Sequence, residues 1–191
     1  MAIGPHQPQE ARNRCWKDCL GIVLNETTTA LEESFCDLTD AQVWGRPVPQ
    51  RHSIGTMVMH CLESLNGFAC WVQTGRGAPV PADEAQFDMW SCTPEQLDQR
   101  QKGADLPATA QMAQWLRQVR ELATQGLDSA TEEDLRGPRA NSDWCRRTHR
   151  PAGDAYMRCL AHVAAHVRQI WCLRGAMGAF NESAWPQQHY A

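Results

Sequence analysis

The chain has 191 residues, a formal net charge of -4 and a pI near 6.0, which fits one domain. Hydrophobic residues at 42% and charged residues at 21% allow a core and exclude a wholly disordered chain. The acidic balance excludes an electrostatic nucleic-acid binder, and no apolar run approaches the roughly 20 residues that cross a bilayer. The segment Met1–Pro8 lacks a basic stretch followed by an apolar one, so no secretory signal is expected. The expected compartment is the cytoplasm, with neither nucleic acid nor membrane as partner.

Four segments carry helical periodicity. The first spans about 10–35, where Trp16, Leu20, Val23, Leu24, Thr27 and Leu31 recur at three- and four-residue steps. Asp37–Asp40 breaks it, and Gly45-Arg46-Pro47-Val48-Pro49 reads as a loop, since proline disfavours helix in the residue before it. Ser53 is a good N-cap for a second helix over about 53–74. Its apolar stripe is Ile54, Met57, Val58, Cys61, Leu65, Phe68, Ala69 and Val72. The polar connection 76–107 is long for a compact domain. It reads as a lid or a surface excursion with a short helix near Pro94–Gln101. A third helix covers about 108–127, and 130–151 is a second long connection. The fourth helix covers about 154–175, with Asp154 as N-cap and Gly175 as terminator. Its apolar residues spread round more than half the circumference, so it is expected to be the most buried. No strand-like alternation competes. The expected fold is a single all-α domain over 1–191, a four-helix bundle whose long connections could serve as crossovers.

Nine cysteines cannot all pair with one another. None stands in a CxxC, and six (Cys15, Cys19, Cys61, Cys70, Cys159 and Cys172) fall in helical stretches, so they read as reduced, buried small hydrophobes. Trp16, Trp71, Trp115 and Trp171 occur one per helix and read as core or interface anchors.

Among the seven histidines, three lie inside helices. His162 and His166 are four apart, an offset of about 40° and a rise of about 6 Å, so both imidazoles leave one face over one point. Two histidines so spaced can ligate one metal ion. Gln169, one turn further, shares that face with Ala155, Cys159 and Leu173, which makes it the candidate partner for a ligand ring. His60 sits on the shoulder of its helix with Ser64, Gly67 and Trp71. With His162 and His166 it would give a three-histidine site with open positions, the catalytic pattern. A helical histidine is more often a hydrogen-bonded core or surface residue, so spacing alone leaves the three-histidine site the minority reading.

Three stretches together resemble the DinB/YfiT-like superfamily of four-helix metalloproteins. They are Leu38–Gln42 through Arg46-Pro47, Ser53–Glu63 with His60, and His162–Arg174, in which His162 and His166 precede Gln169-Ile170 and a closing Leu173-Arg174. The resemblance covers about residues 10–178. It implies an up-down-down-up bundle holding one divalent metal (zinc or nickel, with iron a further candidate) through His60, His162 and His166. It also implies a homodimer and a metal-dependent S-transferase or isomerase acting on a small-molecule thiol and an electrophile. Glu63, Arg168 and Gln169 are candidate helpers, and only Gln169 lies in phase with the ligands. The alternatives are a non-catalytic metal-binding stress or carrier protein, and a metal-free helical interaction module.

Overall fold

Hydroxyl side chains set where several helices begin. The computed structural model describes residues 16–67, 77–80, 87–89, 91–137 and 151–179. Among these run α1 (Trp16–Glu33), α2 (Asp40–Trp44), α3 (Ile54–Ser64), α4 (Pro94–Gln101), α5 (Thr109–Ser129), α6 (Glu132–Arg136) and α7 (Ala152–Ala176), with no strand among the described residues. Thr39, Thr93 and Thr131 accept from the backbone N–H three residues on, while Gln42, Gln96 and Asp134 reach back to the cap's own N–H. That reciprocal capping box satisfies two orphan donors at once. Ser53 caps α3 by accepting from the Thr56 N–H.

The all-helical fold stands, and the short helix expected at Pro94–Gln101 is α4. Several boundaries differ. Residues 10–15 and 68–74 of the expected first two helices lie outside the described residues. In α7, Pro151 takes the N-cap position and Asp154 falls in the first turn. The glycine in left-handed conformation beyond its end is Gly178, with φ 67°, rather than Gly175. Helices α2 and α6 were not expected. At five residues each they are too short to show periodicity, and only their capping boxes announce them.

Helix α1 packs against α5 and α7, and α3 packs against the same two. The most enclosed helix is α3, not α7: every residue from Ile54 to Leu62 is buried. Partners surround it. Besides α5 and α7, α2 lies against it, and Gln101 of α4 donates to Thr56 Oγ1 at 3.0 Å. A helix buried on all sides tolerates polar residues only where they find partners, and Thr56 also contacts Ser53 Oγ at 2.9 Å.

The cysteine expectation holds in part. Cys61 and Cys159 are buried, whereas Cys19 and Cys172 are exposed, and each described cysteine is a free thiol. Trp171 is buried and Trp115 packs against the core. Trp16 is 42% exposed, although its indole nitrogen stands only 2.6 Å from where a Cβ on Gly153 would be.

Gly55 lets α2 approach α3. A Cβ there would meet the Trp44 ring at 2.6 Å, and Trp44 cannot retreat freely. Its Nε1–H donates to Pro107 O at 2.9 Å, and Phe87 packs on its ring at 6.0 Å between centroids. Gly55→Ala should therefore destabilise by about 1–3 kcal/mol through overpacking. Urea unfolding of the single variant and of Gly55→Ala/Trp44→Leu checks this. The double variant should lose less than the sum of the two single changes.

Candidate metal centre

Helix periodicity and one interhelical contact assemble the site. His162 and His166 leave one face of α7, and α3, packed on α7, carries His60 to the same place. The ring centroids lie 5.0 Å (His60–His162), 5.2 Å (His60–His166) and 4.5 Å (His162–His166) apart, with interplanar angles of 76°, 83° and 88°. His60 Nε2 and His162 Nε2 are 2.8 Å apart, and one nitrogen from each of the three rings lies within 4.8 Å of the others. This group could hold a metal ion.

The rings differ in access. His60 is 4% exposed, whereas His162 and His166 are half-buried. The site is thus closed on the α3 side and more open on the α7 side. His166 Nδ1–H donates to Gln169 Oε1 at 2.9 Å. That fixes the ring's tautomer and leaves its Nε2 lone pair free. Arg168 is exposed.

The electrostatics keep all three rings neutral. Burial, then the His166 and His162 charges, lower the His60 pKa to about 4, against an opposing pull from Asp88. Burial first, then His166 and Arg158, lower that of His162. Burial lowers that of His166 against the Gln169 hydrogen bond. Neutral imidazoles are the form that binds metal. The 2.8 Å nitrogen contact also requires at least one uncharged ring, since two imidazolium rings offer only donors. The donor set of three imidazole nitrogens, without thiolate or carboxylate, fits a borderline divalent ion with open positions.

Sequence reasoning missed the surrounding polar groups. His52 lies in the loop before α3, yet it acts electrostatically on His60, and His166 acts on it. Asp88, in the long connection, acts on His60. Arg46 acts electrostatically on His52. None shares a helix with a ligand, so periodicity gives no signal for them.

Residues 24–170 match the family model of the DinB superfamily, the superfamily that the three motifs resemble. A conserved protein from Enterococcus faecalis of known crystal structure is similar in fold, with a TM-score of 0.63 at 16% identity, covering 84% of this chain and 96% of that one. No curated protein matches.

The depressed histidine pKa values set the sign of a pH dependence in the metal-free protein. The unfolded rings bind protons below their ordinary pKa near 6.5, while folded His60 resists protonation down to about 4. The unfolded state therefore holds more protons in that window, and stability falls as pH drops through it. Urea unfolding between pH 7 and pH 4 should show the loss, and His60→Leu should flatten it.

Proposed function

We propose that this chain, which belongs to the DinB superfamily, holds one divalent metal ion through His60, His162 and His166 and is a metal-dependent enzyme that joins or rearranges a small-molecule thiol and an electrophile. The observation that carries the metal part is the convergence of three neutral imidazoles on one point from two helices. The chemistry such an ion supplies is Lewis acidity, which acidifies a thiol and polarises a carbonyl.

The chain's own residues then divide the work. His60, nearly sealed in the core, gives a rigid anchor. His162 and His166, half-buried, leave the approach for small molecules on their side. Gln169 holds the His166 ring in the tautomer that presents Nε2. Three neutral ligands leave an ion's charge uncompensated, which favours an anionic partner such as a thiolate. The thiol and the reaction type come from the superfamily resemblance. Among the described residues no helix is long and apolar enough to cross a membrane.

Elemental analysis of protein purified without a histidine tag tests the metal. One ion per chain is expected, and His166→Ala should lose it while keeping its helical circular dichroism, because the packed helices supply most of the stability. Gln169→Ala should weaken metal affinity about 10- to 100-fold, the usual cost of removing a residue that orients a ligand. Turnover with mycothiol, bacillithiol, glutathione or coenzyme A and an electrophile tests the enzyme. A metal-loaded protein inert with all four would point to a carrier.

A further inference from the structure

Buried polar atoms without partners are uncommon, because each forfeits its hydrogen bonds to water. Three side-chain atoms among the described residues are of this kind: Arg46 Nη1, His52 Nδ1 and Gln118 Oε1. The first two come from one loop, the segment between α2 and α3. That loop ends at Ser53, the cap of the helix that carries His60.

The ion pairs of Arg46 are unequal. Its Nε lies 2.9 Å from Asp98 Oδ2, a hydrogen-bonding distance, whereas its Nη1 lies 3.7 Å from Glu95 Oε1, beyond one. The Arg46 side chain is 17% exposed and that of Glu95 is 64% exposed. Asp98 therefore fixes the guanidinium, while the Glu95 carboxylate, which accepts from Thr93 and from its own backbone N–H, stands in front of Nη1 without bonding it. The capping box of Thr93 and Gln96 holds the first turn of α4, while the Glu95 side chain, 64% exposed, is free to turn toward solvent. The loop that carries Arg46 and His52 runs directly into the helix that carries His60, about two turns before that ring, and Arg46, Glu95, Asp98 and His166 all act electrostatically on His52.

We propose that Arg46 and His52 form a carboxylate-binding subsite next to the histidine group, that Glu95 occupies it in the absence of ligand, and that the small molecule this protein acts on carries a carboxylate. Arginine takes carboxylates in a fork with a fixed geometry. One ligand oxygen accepts from Arg46 Nη1–H as Glu95 swings into solvent, and the other accepts from the His52 ring in its Nδ1–H tautomer. One carboxylate replaces another, so the charge around Arg46 is unchanged and both orphaned atoms gain partners. The proposal deepens the function above by naming a substrate class, and rests on it for the chemistry but not for the binding.

The test uses the full-length protein, as purified and again after chelation, with labelled histidine side chains, titrated with acetate and with acetamide at constant ionic strength. The His52 ring signal, assigned with His52→Gln, should shift saturably with acetate and not with acetamide. Glu95→Gln removes the internal competitor and should tighten acetate binding about tenfold, whereas Arg46→Met should weaken it by at least as much. Three results would overturn the subsite: no saturable response to acetate in wild type and Glu95→Gln, an equal response to acetamide, or unchanged or weaker binding in Glu95→Gln. If the chain binds no metal while the acetate results hold, the function proposed above fails and the subsite stands.

Discussion

The burial of α3 on every side is the constraint from which the rest follows. A helix with no solvent face cannot carry a charged ring, and His60 sits in it at 4% exposure. The ring must be neutral and must face a partner, and α7 supplies His162 Nε2 at 2.8 Å. The same enclosure explains why Gly55 has no side chain where α2 crosses. It also explains why Thr56 is tied on one side to Ser53 and on the other to Gln101. Thr56 and His60, the buried polar side chains of α3, are each answered by a specific neighbour, so the position of His60 is over-determined by packing.

The second half of the site depends on where α7 stands along its axis, and Arg174 secures that. Its side chain is 1% exposed. It donates to Asp37 through both terminal nitrogens at 2.5 and 2.8 Å, and donates also to Ser34 O and Ala179 O. It also lies 4.6 Å over the Trp171 ring. A buried guanidinium is costly unless its donors are satisfied, and here they are met from the exit of α1 and from the residues after α7. The hydrogen bond from Arg174 holds the Asp37 carboxyl below its ordinary pKa. That contribution to stability is present above the ordinary carboxylate range and is lost as pH falls through the lowered value. A one-residue slip of α7 would move His162 and His166 by about 1.5 Å and rotate them by about 100°, so this anchor and the metal group answer to the same register.

What the sequence made legible was local. Helix α7 showed because its apolar residues repeat over 25 residues. The short helix expected near Pro94–Gln101 formed there because the Thr93 capping box and Pro94 act within one turn. The pairing of His162, His166 and Gln169 followed from spacing along one helix. His60 did not follow from periodicity, since its place on the shoulder of a stripe suits several roles, and only the three motifs in order singled it out. The even burial of α3 was hidden because hydrophobic patterning suggests one face, while the covering of the others by α2 and α4 is long-range. Cys19 and Cys172 were misread for the converse reason: a small apolar residue in a helix shows nothing of which face it occupies when the stripe is broad. His52, Arg46 and Asp88 come from loops, and the electrostatic links from His52 and Asp88 to His60, and from Arg46 to His52, arise from tertiary folding that no spacing rule encodes.

The charge arrangement bears on the chemistry. The innermost ring of groups holds three neutral imidazoles and no carboxylate, so nothing in it offsets a cation. The carboxylates stand further out. Asp88 is near enough to act on His60, and Glu95 and Asp98 are engaged by Arg46. Were a carboxylate among the innermost groups, a cation there would be partly neutralised and less able to stabilise an incoming anion. Keeping the acids one layer out preserves that attraction, while Asp98 prevents Arg46 from becoming an unbalanced buried charge. The polar layer thus does two separable things. It leaves the histidine group electrically open, and it keeps, in the loop that leads into α3, a guanidinium whose Nη1 is still without a hydrogen bond.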